Sequence, residues 1–177
     1  PDGETLYLGG RGRIDVWNIA DAAAPVKKGS LPDVRGDANA LAISPDGSYL
    51  AAAELGAGLQ VWRLAGDGGR PVTIDGDTGD VAGAVAFSPD SRALASSTAN
   101  QRLDFWTVDG DRLQHTAELD LGWRGNQLAQ GLAYSPDGKK VYAALRSRTV
   151  DVLDVADPAA PRVERRLDGH TSYVSAL

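Results

Sequence analysis

The apolar residues of this chain come in short runs, each closed by a cluster of Asp, Gly, Pro or Ser. The clearest run is Ile14-Asp15-Val16-Trp17-Asn18-Ile19. It returns as Leu59-Gln60-Val61-Trp62-Arg63-Leu64, as Leu103-Asp104-Phe105-Trp106-Thr107-Val108 and as Val150-Asp151-Val152-Leu153-Asp154-Val155. β-Branched and aromatic residues dominate these runs, as strands prefer. Side chains alternate between the two faces of a strand. Ile14 and Val16 therefore share one face, while Trp17 and Ile19 take the other, so both faces are largely apolar. A sheet of this kind needs cover on both sides, and a hairpin with one solvated face would read differently. No helix is predicted: the one alanine run, residues 22–24, is stopped at Pro25.

The turns repeat as well. Pro1-Asp2-Gly3, Ser44-Pro45-Asp46-Gly47, Ser88-Pro89-Asp90-Ser91 and Ser135-Pro136-Asp137-Gly138 place their prolines 44, 44 and 47 residues apart. Proline presets φ, aspartate offers a side-chain acceptor and glycine accepts positive φ, so each copy predicts a tight hairpin turn. Ser91 replaces glycine in the third copy, and that turn must tolerate a side chain. The repeats run over residues 1–44, 45–88, 89–135 and 136–177 of a single domain spanning 1–177. Each predicts four strands. A strand follows the turn (5–9, 49–53, 93–97, 140–144), and the tryptophan-bearing strand comes next. A polar outer strand follows (26–31, 70–74, 112–119, 162–167), then an alanine-rich inner strand (40–43, 82–87, 129–134, 173–177). Polar composition protects an outer edge from pairing with other chains. Alanine lets another backbone approach closely, as at a crowded axis. Four short antiparallel strands per unit, apolar on both faces and repeated at this period, describe the blades of an all-β fold, a β-propeller.

The succession Ser-Pro-Asp-Gly, strand, turn, Val-Trp resembles the WD-repeat β-propellers, and Gly169-His170 resembles that family's Gly-His pair. The pattern is of a degenerate, bacterial type. The fourth copy, with Val141-Tyr142 and Asp151-Val152-Leu153-Asp154, is equally similar to lactonase-like surface propellers. The resemblance implies structural roles for Trp17, Trp62, Trp106 and His170. It also implies a buried hydrogen-bonded set of histidine, Ser/Thr, aspartate and tryptophan. At the aspartate position stand Arg11, Gly56, Asn100 and Ser147, so only the third copy, with Ser97, Asn100 and Trp106, keeps something near that set. Rings of this family usually hold seven or eight blades, and four repeats are expected to be part of such a larger ring. The chain opens at proline and contains no methionine, which fits a cut at a Pro-Asp-Gly boundary. Residues 173–177 are placed to pair with residues 5–9 if four blades close on themselves. If they do not, both ends expose apolar blade faces that favour association.

Composition narrows the chemistry. The net charge of −6 opposes a nucleic-acid partner. No run of 18 apolar residues is present to span a membrane as a helix. The chain has no cysteine, which removes disulfides, thiolate metal sites and cysteine nucleophiles, and favours a reducing compartment such as the cytoplasm. Fourteen arginines against four lysines, with much Ala, Gly and Asp, match a high-GC coding bias and carry no mechanism.

His115 and His170 are the only histidines, and no serine with a positioned base can be assembled from spacing. His115 is expected in a solvated outer position. Asp75-Gly76-Asp77-Thr78-Gly79-Asp80 clusters oxygen ligands but lacks the glutamate of a calcium-binding loop, so a solvated turn is expected and no metal or cofactor. Trp123-Arg124 stands outside the strand pattern in the longest repeat, and Trp and Arg are the residues most enriched at interface hot spots. Propeller topology puts it on one rim with Arg11, Arg146 and Arg148. The expected function is a non-enzymatic scaffold binding a protein or peptide through rim loops, with the remaining blades and other domains of a longer chain as further partners. The alternative is a lactonase- or hydrolase-like propeller with a metal at the central axis. It would need inward-facing acidic, amide or histidine side chains, where the inner strands offer mainly Ala, Leu, Val and Ser.

Overall fold

A computed structural model describes residues 2–64, 69–75, 81–98, 102–122, 129–146 and 148–177. It contains sixteen strands in four sheets. The first sheet holds β1 (Thr5–Gly10), β2 (Arg13–Asn18) and β3 (Val26–Ser30) in that order. The second holds β4 (Asp37–Ile43), β5 (Tyr49–Leu55), β6 (Gly58–Arg63) and β7 (Arg70–Pro71). The third runs β9 (Val81–Phe87), β10 (Ala93–Thr98), β11 (Arg102–Asp109), β12 (Arg112–Asp120), with β8 (Thr73–Asp75) outermost. The fourth holds β13 (Ala129–Tyr134), β14 (Lys140–Leu145), β15 (Val150–Asp154) and β16 (Arg162–Leu167). Within each sheet the neighbours are antiparallel, save β8, which pairs parallel to β12.

The core lies between the sheets, as strands apolar on both faces require. One cluster joins Ile14 and Leu31 of the first blade to Leu50, Ala52 and Trp62 of the second. A second joins Ala51, Leu59 and Val61 to Val85, Leu94 and Trp106, with Tyr49 stacked on Phe87 at 6.5 Å. A third joins Leu103 and Phe105 to Val141, Ala143 and Leu153. Trp62 and Trp106 each face the preceding blade. The inner strands pack in succession, β1 on β4, β4 on β9 and β9 on β13. At Gly83 a Cβ would lie 2.4 Å from the Ala129 carbonyl oxygen, so the close approach read from the small residues is real.

The three described Ser-Pro-Asp turns share one geometry. Ser44, Ser88 and Ser135 each donate Oγ–H to the following aspartate at 2.6 Å. Each serine Oγ also accepts the N–H of the residue five positions on, at 2.9 Å. The fourth turn position is left-handed in all of them: φ is 74° at Gly47, 63° at Ser91 and 71° at Gly138. Ser91 thus takes the glycine conformation, and its Oγ accepts the Asp46 N–H at 3.1 Å. That bond ties the second and third blades together.

Three features depart from uniform four-stranded blades. The first sheet has three strands. Residues 173–177 form no strand and lie against β13 instead of pairing with β1, the Ala176 Cα standing 3.3 Å from where a Gly131 Cβ would be. The outer strand of the second blade, expected over residues 70–74, splits. Val72 N–H still reaches Val61 O at 2.8 Å, but Thr73 N–H goes to Asp111 O at 3.0 Å, and the chain continues along β12. Arg112 lies 3.5 Å from Asp75 on that new pairing. A register shift also recurs beside the tryptophan position, at Val16/Trp17, Phe105/Trp106 and Val152/Leu153. These β-bulges add local twist where the blade turns outward.

Candidate protein-interaction rims

Antiparallel strands alternate direction, so the connections of each blade fall on two rims. One rim carries the Ser-Pro-Asp turns. Here the blades are cross-tied: the Tyr49 hydroxyl donates to Gly110 O at 2.8 Å, and Arg63 meets Asp111 at 3.0 Å. Serine donation holds the Asp46, Asp90 and Asp137 carboxyls below the usual carboxylate range. In the first turn the backbone N–H of Glu4, with help from Thr5, lowers Asp2 to about 2. A cleft of about 550 Å³ opens between the third and fourth blades on this rim. Pro89, Arg92, Trp106, Tyr134, Lys139 and Pro158 are among its lining residues. Burial pushes the Tyr134 phenol above its ordinary range.

The other rim carries the turns between second and third strands and the links from one blade to the next. Arg11, Arg146 and Arg148 are exposed there. Arg146 and Arg148 share one turn, closed by Arg148 N–H to Leu145 O at 3.3 Å, with Arg148 at φ 68°. Arg11 sits on the first blade, with the second and third blades between it and the other two. Trp123 and Arg124 lie outside the described residues, as does Asn100. Of Asp75, Asp77 and Asp80 only Asp75 is described, and no group of three metal-ligating side chains occurs among the described residues.

Beneath this rim Glu54 is fully buried and accepts Gly36 N–H at 2.9 Å and Arg35 N–H at 3.3 Å. Burial pushes its carboxyl up despite those two bonds. Gln60 accepts Arg35 N–H at 3.0 Å and donates to Asp33 O at 3.1 Å. These two side chains hold the link between the first and second blades, and with it Arg35 at the rim. Arg35 also lines a 440 Å³ pocket with Leu59, Pro71 and Ile74, in the gap left where β8 departs from its own blade.

A pattern that sequence reasoning missed lies two residues before each tryptophan position. Asp15, Gln60, Asp104 and Asp151 are all buried, on the face of the tryptophan, and each has its own partner. Asp15 takes Ser30 at 2.7 Å and Lys27 at 2.9 Å. Asp104 takes His115 Nε2 at 3.1 Å, and burial raises its carboxyl against the opposing pull of that histidine. Asp151 takes Arg166 through two bonds of 2.6 and 2.8 Å. The signal was a polar residue at fixed offset in an otherwise apolar strand.

The histidines and serine correct the expectations drawn from the family set. His115 is not merely solvated, since it pairs with Asp104 and meets the Trp106 ring edge-on at 4.9 Å. The Trp106 indole donates to Ser96 at 3.0 Å, whereas Ser97 points to the opposite face and bridges Ala84 N at 2.9 Å and Ala129 O at 3.2 Å. Strand alternation decides this, because residue 96 shares the tryptophan's face and residue 97 does not. His170 is exposed on the loop after β16, outside any buried set. Trp62 is fully buried and donates to Pro32 O at 2.9 Å, while Trp17 is only partly buried.

No protein-family model matches the sequence, and no curated protein sequence does. Among solved structures, Chaetomium thermophilum Sqt1 bound to the N-terminus of the ribosomal protein L10 is similar, with a TM-score of 0.74 at 19% identity. The alignment covers 98% of this chain and 48% of that one, so the chain spans about half the length of the Sqt1 structure. At this identity the likeness is one of fold, and the fold it shows is that of a WD40-like β-propeller.

Proposed function

We propose that this chain is a non-enzymatic interaction scaffold that binds a protein or peptide through its rim loops. The observation that carries the reading is the Arg146–Arg148 turn. Two exposed guanidinium groups sit on one tight turn, and Arg148 holds a left-handed backbone that a glycine would adopt without strain. Rigid, cross-tied blades present such loops without reorganising, and loops on rigid scaffolds are where binding residues collect. Arginine forks favour carboxylates, so the partner segment is acidic. Arg11 is exposed on the same rim and extends the surface, and the sequence offers Trp123-Arg124, from the link between the third and fourth blades, as a further contact. Sqt1, of the same fold, is bound to the N-terminus of a ribosomal protein, which supports a protein or peptide partner here.

A displayed peptide library panned on the immobilised chain tests this. Acidic peptides should be enriched on the natural chain, and Arg146→Glu with Arg148→Glu should abolish their capture at unchanged melting temperature. Trp123→Ala should weaken capture in the same way. Absence of enrichment, or capture indifferent to all three changes, would sink the proposal.

A further inference from the structure

On the Ser-Pro-Asp rim the seam between the second and third blades is closed by one aromatic side chain. Tyr49 is the residue whose N–H bonds the Ser44 Oγ of its own turn. Its ring stacks on Phe87 of the third blade, and its hydroxyl donates to Gly110 O at 2.8 Å. Arg63, its partner across the strands, meets Asp111 beside it at 3.0 Å.

The seam between the third and fourth blades has the same frame without that filling. Ala93 holds the position of Tyr49, its N–H bonding the Ser88 Oγ. Thr107 holds that of Arg63, since it pairs with Ala93. Val155 N–H reaches Lys139 O as Val108 N–H reaches Arg92 O, which puts Pro158 where Asp111 stands. Tyr134, half-buried and packed on the cluster of Ala95 and Phe105, is the wall that Phe87 is one blade earlier. The cleft of about 550 Å³ is the space these smaller side chains leave. It falls within the roughly 300–1,000 Å³ of ordinary ligand sites. The first blade follows the same rule: Thr5 takes the Tyr49 position, and a cavity of about 390 Å³ opens beside it against the aliphatic Ile43 and Leu64.

Ala93, Phe105, Tyr134 and Val155 are the apolar lining of the larger cleft, and Arg92 and Lys139 are its exposed cations. Asp90 and Asp137 are drawn into their own turns, each accepting a serine hydroxyl and the N–H two residues on. That leaves the longer Arg92 and Lys139 side chains to meet a carboxylate from outside.

We propose that this cleft receives the tyrosine or phenylalanine side chain of a partner peptide that carries an acidic residue next to it. The ring enters between Ala93 and Tyr134, in the place that Tyr49 fills one blade earlier, and the neighbouring carboxylate meets Arg92 and Lys139. The occupant is a protein segment because its place is one that this chain fills with a side chain of its own. Offset stacking on Tyr134 adds to the burial of apolar surface. The site lies on the rim opposite Arg146 and Arg148 and is independent of them.

The peptide acetyl-Gly-Tyr-Asp-Gly-amide, titrated into the isotope-labelled chain and followed by amide chemical shifts, tests this. Shifts should centre on Ala93, Thr107, Lys139 and Ala156. Alanine in place of the peptide's tyrosine should weaken binding about tenfold or more, and lysine in place of its aspartate should weaken it as well. Ala93→Tyr, which fills the cleft from within, should abolish the shifts without lowering the melting temperature. Arg92→Glu with Lys139→Glu, both on exposed side chains, keeps the test decisive if Ala93→Tyr does not fold, and should turn the preference to the lysine peptide. Arg146→Glu with Arg148→Glu should leave binding unchanged, which separates this site from the other rim. Equal affinity for the alanine or the lysine peptide, shifts centred elsewhere, binding that survives in a folded Ala93→Tyr chain, an unchanged preference in the Arg92, Lys139 variant, or loss of binding in the Arg146, Arg148 variant would overturn the proposal.

Discussion

Asp46 and Ser91, which lie in successive Ser-Pro-Asp turns, are joined by a backbone N–H donated to a side-chain oxygen at 3.1 Å. Among the three Ser-Pro-Asp turns, Ser91 is the one residue that takes a left-handed φ, 63°, without being glycine. Ser91→Ala keeps the strained backbone and loses the bond, and should cost about 1 kcal/mol. Ser91→Gly loses the bond but relieves a left-handed conformation worth about 1–2 kcal/mol, and should sit near the natural stability. Urea denaturation of the three proteins measures both. An alanine variant as stable as the natural chain would show that the cross-blade bond contributes nothing.

Asp151 is fully buried on β15 and is met by the Arg166 guanidinium from β16. Removing Arg166 takes two charge-assisted hydrogen bonds from a buried carboxylate, although the arginine here is 45% exposed and water can enter. Arg166→Ala should therefore cost about 2 kcal/mol, below the range for fully buried pairs. Arg166→Lys, which lacks the planar fork, should recover only part of it. Equal stability of all three in chemical denaturation would contradict the bidentate geometry.

The lowered carboxyls of Asp46, Asp90 and Asp137, with those of Asp2 and Asp15, contribute to the acid limb of the stability curve. Their folded pKa lies below the ordinary aspartate value, so the native state binds fewer protons than the unfolded one in that range. The stability they contribute is complete above the unfolded value and is lost as pH falls through the folded values. Asn at all three positions should flatten the loss of melting temperature below that point. Glu54 acts with the opposite sign: its raised carboxyl gives stability present below its unfolded value and lost as pH rises through the folded one. An acid limb unchanged by the triple substitution would remove the turn carboxyls as its cause.

Gly83 faces the Ala129 backbone at the crowded inner strands. A methyl group there would lie 2.4 Å from a carbonyl oxygen, and backbone cannot yield as a flexible side chain can. Gly83→Ala should cost about 1–3 kcal/mol by overpacking. Gly10→Ala, where a Cβ meets nothing closer than 3.9 Å and the backbone is not left-handed, is the control for replacing a strand glycine. If Gly83→Ala costs no more than the control in thermal unfolding, the inner strands are looser than described.

Much of the fold was legible because its causes are local. A Pro-Asp turn needs a few neighbouring residues, and two apolar faces follow from alternation along one strand. The places where sequence reading failed all involve partners distant in the chain. The family resemblance groups Ser97 with Trp106, yet the pleat sends it to the other face. The outer strand of the second blade was assigned whole, but Thr73 finds the Asp111 carbonyl of the next blade.

The arginine rim could be read from topology, whereas the burial of Asp104 and Asp151 could not. Their acceptability depends on His115 and Arg166 arriving from a neighbouring strand. By itself, then, the sequence determined the period, the turns, the strand faces and the stacking of blades, since these rest on steric and solvation preferences of adjacent residues. The tertiary structure alone decided which blade owns β8, which polar side chains are buried with partners, and which residues close the apolar clusters between blades. Each of those is a competition between distant groups for the same hydrogen bond or the same apolar cover.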